Sequence, residues 1–188
     1  LEVTCVEGEY FGALNSLNSD LPKIVLFLGS NIGNLQDHVA NEFLTKLSAT
    51  LNSGDKVLLG TDLIKSEDIV LPAYNDAQGY TREFNLNLLR RINNELNGTF
   101  EISSFEHSPQ YSEETGIAES FLESTKDQQV EVAGQVFEFK KGEKIHMEIS
   151  RKYNDKILTT ILDGTDLKLV DKFTDSKTYF ADYILKKS

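Results

Sequence analysis

The hydrophobic pattern in the first third of the chain switches between short apolar runs and a helical period. Residues 23–28 (KIVLFL) are continuously apolar after their lysine, which is typical of a central strand buried on both faces of a parallel sheet. Apolar residues then recur every three or four positions over 35–51, which predicts a helix. Residues 56–59 (KVLL) predict a second buried strand. Strand, helix and strand in this order favour a parallel α/β sheet with right-handed crossovers.

Two more helices and then a change of period follow. The first helix begins near Ser66, and the second covers 81–96 with a stripe formed by Phe84, Leu88, Leu89, Ile92 and Leu96. After residue 98 the period becomes that of mainly antiparallel strands. These strands are predicted over 100–111, 119–125, 129–132, 136–139 and 144–153, with turns at 133–134 and 141–142. The remaining predicted elements are a strand over 1–6, a helix over 154–162 and strands over 167–173 and 179–185.

The charge balance excludes some classes of partner. The chain has 188 residues and a mass of 21.1 kDa, which suits one large domain or one domain with an insertion. Its 19 Lys+Arg and 30 Asp+Glu give a net charge of −11, so its field repels nucleic acid and anionic membranes. No apolar run approaches the roughly 18 residues that span a bilayer, and no leader-like segment opens the chain. We therefore expect a soluble, cytoplasmic protein with no nucleic acid or membrane partner.

Few side chains suit a metal site. The single cysteine, Cys5, excludes an internal disulfide and leaves too few soft ligands for structural zinc. Because Cys5 alternates with Leu1 and Val3, we expect it to be buried in a strand. His38 and His107 have no partner at a metal-binding spacing, so we predict no metal and assign them no catalytic role.

Two stretches carry candidate chemistry. Residues 27–34 (FLGSNIGN) join a strand end to a predicted helix through two glycines, with Asn34 where an N-cap would lie. Such a turn is either a ligand site at the edge of an open sheet or an ordinary connection. Glu148 and Ser150 project from one strand face, about 6 to 7 Å apart, which suits either a small polar ring or a solvated surface. His146 shares that face and is expected to point to solvent or a neighbouring strand.

Six motifs in order then support a resemblance. They are FLGSNIGN (27–34), GTDL (60–63), AYNDA (73–77), FN (84–85), FEH (105–107) and MEIS (147–150). In this order over nearly the whole chain, they resemble the S-adenosylmethionine-dependent histidine-specific N-methyltransferases of ergothioneine biosynthesis. That superfamily includes relatives that methylate tryptophan-derived amines.

The resemblance implies a fold and a division of the chain. The fold class is α/β, with part of a Rossmann-like class I methyltransferase sheet and an inserted α+β substrate-binding domain. Residues 1–78 and 152–188 would form the methyltransferase part, and residues 79–151 the insert. The amino-acid site would lie between the two.

The resemblance also implies roles for individual residues. Glu9, Tyr10 and Gly29 match the positions that hold S-adenosylmethionine, the methyl donor. Asn34 matches the residue that holds the α-amino group of the substrate, and Tyr74 the one that holds its carboxylate. Glu148 and Ser150, with Ile149 between them, match the residues that read the imidazole ring of L-histidine.

Two departures leave alternatives open. Ser120 stands where the family commonly has a larger apolar residue, so another aromatic amino acid or amine stays possible as the substrate. The family's glycine-rich loop would precede residue 1, and the twelve glycines contain no G-x-G pair, so we expect these residues by themselves to bind S-adenosylmethionine weakly or not at all. The missing strands would leave a sheet edge open to self-association. The alternative to an enzyme is a non-catalytic remnant that acts as a protein-interaction module.

Overall fold

The computed structural model describes residues 3–16 and 21–188. The chain divides into two compact units. The first unit consists of Leu1–Ile64 and Arg151–Ser188, and the second unit of Lys65–Ser150. The second unit therefore begins earlier than the insert predicted at residues 79–151, because the helix that follows Ile64 packs on the strands of that unit.

Strands and helices account for most of the described residues. The strands are β1 (Ile24–Phe27), β2 (Lys56–Asp62), β3 (Phe105–Ser112), β4 (Ile117–Ser124), β5 (Gln128–Val132), β6 (Gln135–Phe139), β7 (Lys144–Arg151), β8 (Leu167–Thr174) and β9 (Phe180–Lys187). The helices are α1 (Tyr10–Ser16), α2 (Asp37–Ala49), α3 (Glu67–Tyr74), α4 (Tyr80–Glu95) and α5 (Asp155–Leu162), with 3₁₀ turns at Asn31–Asn34 and Ile102–Ser104. The mixed α/β class is thus as predicted. No helix in the described ranges is long and apolar enough to cross a membrane.

The first unit is built on a mixed four-stranded sheet in the order β1-β2-β9-β8. β1 and β2 are parallel, as predicted, whereas β9 is antiparallel to both β2 and β8. Side chains on one face pack with α2 and α5 into a continuous core that includes Leu44, Leu59, Leu158 and Tyr183. The predicted central position of the KIVLFL strand is wrong for the described residues. Among the described strands β1 has only β2 as a neighbour, and one face of β1 is open, with Ile24 66% exposed and Leu26 61% exposed.

The segment after β1 also differs from its prediction. Residues Asn31–Asn34 form a 3₁₀ turn of their own, and the N-cap of α2 is Gln36 rather than Asn34. The reason is that Leu35 takes an extended conformation and separates the turn from the helix. α2 then buries Ala40, Leu44 and Leu47 at the expected helical spacing.

The opening of the chain is not a strand over residues 3–6, because no described strand pairs with it. The part of that prediction on Leu1 and Glu2 lies outside the described residues. Cys5 is exposed, so its predicted burial is wrong.

The second unit contains a three-stranded sheet in the order β3-β4-β7 and the antiparallel hairpin of β5 and β6. The hairpin turns through Ala133 and Gly134, whose φ angles of 51° and 79° match the positive values that a two-residue hairpin requires. The core of the second unit is formed by Leu86, Leu89, Phe105 and Leu122, with Ile145 and Met147 packed against it. The predicted stripe of α4 is therefore only partly correct, because Phe84 and Leu88 are exposed.

Candidate functional site

The turn after β1 is held from the end of β2. Ser30 adopts a left-handed conformation, with φ of 58°, at the start of the turn. Its N–H donates to the carbonyl of Gly60 at 3.2 Å, and its Oγ accepts from the N–H of Asp62 at 2.9 Å. These two contacts fix where the chain leaves the sheet and enters the Asn31–Asn34 turn.

Residues 151–153 pack directly against the same turn. A Cβ atom on Gly33 would lie 2.7 Å from the backbone oxygen of Arg151, so only glycine fits without a shift. The hydroxyl of Tyr153 donates to the carbonyl of Ile32 at 3.3 Å, and both side chains are fully buried. Burial raises the pKa of the Tyr153 phenol, so this hydroxyl keeps its proton.

Two ion pairs anchor this segment in the first unit. Arg151 Nη2 lies 2.8 Å from Asp37 Oδ2 at the start of α2, and Lys152 Nζ lies 2.9 Å from Asp62 Oδ2 at the end of β2. The Arg151 and Lys152 side chains are only 9% and 6% exposed. Because a buried charge without a partner is costly, these pairs hold the segment in one place.

The predicted amino-group residue lies at the end of this turn. Asn34 is the last residue of the 3₁₀ turn, and its side chain is exposed. Gly29 precedes the turn with φ of 75°, and its open side faces only the Asn31 amide at 3.7 Å. The structure thus places Gly29 and Asn34 on one tightly held loop.

Glu9 and Tyr10, the other residues predicted to hold the methyl donor, lie at the start of α1 and just before it. Both are exposed, and Tyr10 is the first residue of α1. The Tyr10 ring meets Phe27 of β1 and Phe43 of α2 edge-on, with ring centres 6.3 Å apart in both cases. An aromatic face is therefore presented beside the end of β1.

The second unit places Glu148 along a cavity of about 310 Å³ between α4 and β7. The cavity is lined by Phe84, Asn85, Asn87, Leu88, Arg91, Met147 and Glu148. Phe84 is 76% exposed, which is unusual for a phenylalanine on a helix that also contributes to a core. An acidic group and apolar side chains thus meet in one concave surface.

The other predicted residues of the second unit lie on β7 and α3. Ile149 and Ser150 are half-buried in β7, and Tyr74 is the half-buried last residue of α3. His146 points to a neighbouring strand, as one of its two predicted positions required. Its Nε2 lies 3.2 Å from Glu119, and its ring packs on Phe121 of β4.

Buried polar atoms were not found by sequence reasoning. Among the described residues, Asn85 Nδ2 and Ser120 Oγ have no hydrogen-bond partner, and both residues are almost wholly buried. Burial also lowers the pKa of His107, whose Nε2 is buried without a partner. The sequence signal for Asn85 was weak, since a helical asparagine between apolar residues is not by itself unusual. The described residues contain no cluster of three His, Cys, Asp or Glu that suits a metal ion.

Comparison with known proteins identifies the family of this chain as one of S-adenosylmethionine-dependent methyltransferases. A family model described as "Histidine-specific methyltransferase, SAM-dependent" matches residues 1–187, so the chain belongs to this family. The resemblance inferred from the six motifs is therefore confirmed.

Several characterised relatives are similar over nearly all of this chain. A histidine N-alpha-methyltransferase of Mycolicibacterium smegmatis is 35% identical over 177 residues, which are 93% of this chain and 55% of that protein. Ergothioneine biosynthesis protein 1 of Schizosaccharomyces pombe is 28% identical, over 87% of this chain and 21% of its own length. The L-tryptophan methyltransferase trpM of Psilocybe serbica is 30% identical, over 87% of this chain and 47% of its own. The chain spans about half the length of the Mycolicibacterium smegmatis and Psilocybe serbica relatives.

Solved structures resemble the chain less closely. An S-adenosylmethionine-dependent methyltransferase from Clostridium acetobutylicum aligns over 92% of this chain and 61% of its own, with 10% identity and a TM-score of 0.45.

Proposed function

We propose that this protein is an S-adenosylmethionine-dependent N-methyltransferase that acts on the α-amino group of L-histidine. The proposal rests on membership of the family and on the chemistry of the Asn31–Asn34 turn and of the cavity beside Glu148. The observation that carries the choice of substrate is the cavity that Glu148 lines together with Phe84, Leu88 and Met147.

The Asn34 side chain suits an α-amino group. Methyl transfer from a sulfonium is an in-line displacement, so the protein mainly aligns the nitrogen lone pair with the methyl group. The amide oxygen of Asn34 accepts an amine N–H without adding a negative charge that would favour the ammonium form. The phenol of Tyr74 supplies a donor for the substrate carboxylate.

The cavity beside Glu148 suits a small polar ring. A carboxylate accepts strongly from an imidazole N–H, and the hydroxyl of Ser150 offers a second polar contact. Phe84, Leu88 and Met147 supply the apolar walls that cover a flat ring. We propose that Asn34, Tyr74, Glu148, Ile149 and Ser150 are substrate-binding residues.

The residues at the edge of the first sheet fit the methyl donor. The exposed Tyr10 ring and the Glu9 carboxylate suit an adenosine, and Gly29 leaves its backbone open to a close ligand. S-adenosylmethionine supplies the methyl group on its sulfonium. We also propose that the first unit is part of a Rossmann-like class I methyltransferase sheet and that the second unit recognises the substrate.

A second candidate substrate is another aromatic amino acid. Ser120 supports it, because a small residue stands where the family commonly has a larger apolar one, and the Psilocybe serbica relative is an L-tryptophan methyltransferase. A non-catalytic interaction module is favoured only by the exposed apolar face of β1.

Mass spectrometry of the reaction products separates these candidates. The protein expressed from its complete reading frame is incubated with S-adenosylmethionine and either L-histidine or L-tryptophan. We expect methyl groups on the α-amine of histidine. Methylation of tryptophan alone would favour the second substrate, and no methylation of any aromatic amino acid would favour the interaction module.

A further inference from the structure

The Asn31–Asn34 turn has few bonds of its own that fix its position. Within the turn the Gly33 N–H donates to the Ser30 carbonyl at 2.9 Å, and the Leu35 N–H donates to the Ile32 carbonyl at 3.2 Å. Such short turns are held by what packs on them. Here the packing comes from residues 151–153, which we call the anchor segment.

The anchor segment is fixed to the sheet more firmly than a loop normally is. The N–H of Tyr153 donates to the Asp62 carbonyl at 2.8 Å, and the Tyr153 carbonyl accepts from Ile64 N–H at 2.9 Å. Leu63 and Tyr153 thereby form a parallel bridge, so the segment lies beside the end of β2 as a short extra strand. The two ion pairs of Arg151 and Lys152 add side-chain contacts to α2 and β2.

We propose that the anchor segment is the positioning element of the α-amino site, acting through Gly33 on Asn34. The close approach of the Arg151 carbonyl to Gly33 and the hydrogen bond from Tyr153 to Ile32 set the position of the turn relative to the anchor segment. Asn34 ends this turn, so its amide is aimed by residues about 120 positions away in sequence. This inference rests on the proposed role of Asn34 in binding the amine.

The glycine at position 33 is required for space and not for its backbone angle. Its φ is not among the positive values, so alanine has no conformational penalty there. A methyl group at this position nevertheless overlaps the Arg151 carbonyl at 2.7 Å, and a backbone atom cannot turn aside as a long side chain can. Gly33→Ala therefore displaces the turn relative to the anchor segment.

The test compares two ligands that differ only in the amine. Dissociation constants of L-histidine and of 3-(imidazol-4-yl)propionate, which lacks the amine, are measured by calorimetry with S-adenosylhomocysteine present. The protein is the product of the complete reading frame. Gly33→Ala is expected to weaken histidine roughly fivefold to tenfold, the loss of one hydrogen bond, and to change the propionate by less than about twofold.

Two further variants keep the test decisive. Gly12→Ala is the matched control, because a Cβ atom there meets nothing within 4 Å, and it should alter neither affinity. Tyr153→Phe removes only the hydroxyl, and it should weaken histidine selectively, by roughly threefold, even where Gly33→Ala fails to fold.

Each outcome bears on one claim. Equal weakening of both ligands, or no change in either, would overturn the positioning role and leave Gly33 as a packing residue. A wild-type protein that binds the propionate as tightly as histidine would instead overturn the role of Asn34, and with it this inference. No binding of histidine to the wild type would overturn the proposed function itself.

Discussion

The backbone oxygen of Arg151 lies 2.7 Å from the place where a Cβ atom on Gly33 would be. This contact joins the loop that carries Asn34 to the residue that follows Ser150 in the chain. The connection of Ser150 to Arg151 is covalent, so one short stretch of backbone leads from the predicted ring-reading strand to the predicted amino-group loop.

The buried ion pair of Lys152 and Asp62 is expected to stabilise this stretch. Asp62→Asn removes the carboxylate that pairs with the Lys152 ammonium, whose side chain is 6% exposed. Because Asp62 is partly open to solvent, we expect a loss of about 2–3 kcal/mol in the free energy of unfolding, measured by urea denaturation. Asp166→Asn, which breaks the surface pair with Lys187, should cost less than about 1 kcal/mol. Equal losses of unfolding free energy in the two variants would show that the burial of Lys152 does not strengthen its ion pair.

Phe84 is expected to serve binding rather than stability. Its ring is 76% exposed, so Phe84→Ala should change the free energy of unfolding by less than about 0.5 kcal/mol. Because the ring lines the cavity beside Glu148, the same variant should raise the Michaelis constant for histidine several-fold, in steady-state assays. Tyr80→Ala is the control, since Tyr80 is equally exposed on α4 and does not line the cavity. An unchanged Michaelis constant in Phe84→Ala would remove Phe84 from the site.

The start of α4 should make the second unit sensitive to acid. Asp76 accepts the N–H groups of Thr81 and Tyr80, each at 2.8 Å, and these bonds lower its pKa to about 2 from its ordinary value of 3.8. Since the folded pKa is the lower one, this contribution to stability is present above about pH 4 and is lost as the pH falls towards 2. Asp76→Asn should flatten the fall in unfolding free energy over that interval. An acid limb of unchanged slope would contradict the assignment.

The exposed edge at β1 is expected to promote self-association. The strand has no charged residue between Ile24 and Phe27, and its outer edge is unpaired among the described strands. Sedimentation velocity of the 188-residue chain should show association that rises with concentration, and Ile24→Lys should reduce it. Association that is insensitive to this substitution would place the contact elsewhere.

Sequence reasoning predicted much of the fold and missed how individual faces are exposed. The parallel pairing of β1 with β2 and the α+β character of the second unit follow from apolar runs and alternation, which are local signals. The edge position of β1 does not follow from such signals, because an apolar run such as KIVLFL is equally compatible with one neighbouring strand or two. Likewise, the stripe on α4 included Phe84 and Leu88 because periodicity identifies a helix and not which side of it meets the core.

Sequence reasoning proposed individual residues for the candidate site and did not predict how the segments that carry them pack. Asn34 and Glu148 were proposed from short motifs, whereas Ile32 and Tyr153 gave no sign that they meet. That contact depends on two segments more than 100 residues apart, and no local pattern encodes it. The N-cap assigned to Asn34 was also wrong. Asn34 ends a 3₁₀ turn, and the helix begins three residues later, after Gln36.

The central claim is that Glu148 reads the side-chain ring of the bound amino acid. It is tested most directly by calorimetry of L-histidine with the product of the complete reading frame, in the presence of S-adenosylhomocysteine. Glu148→Gln should weaken histidine by roughly tenfold or more, because a charge-assisted hydrogen bond is lost, while Glu123→Gln, a carboxylate of β4 paired with Lys144, should leave the affinity unchanged. Equal affinity of the wild type and Glu148→Gln for histidine would contradict the account.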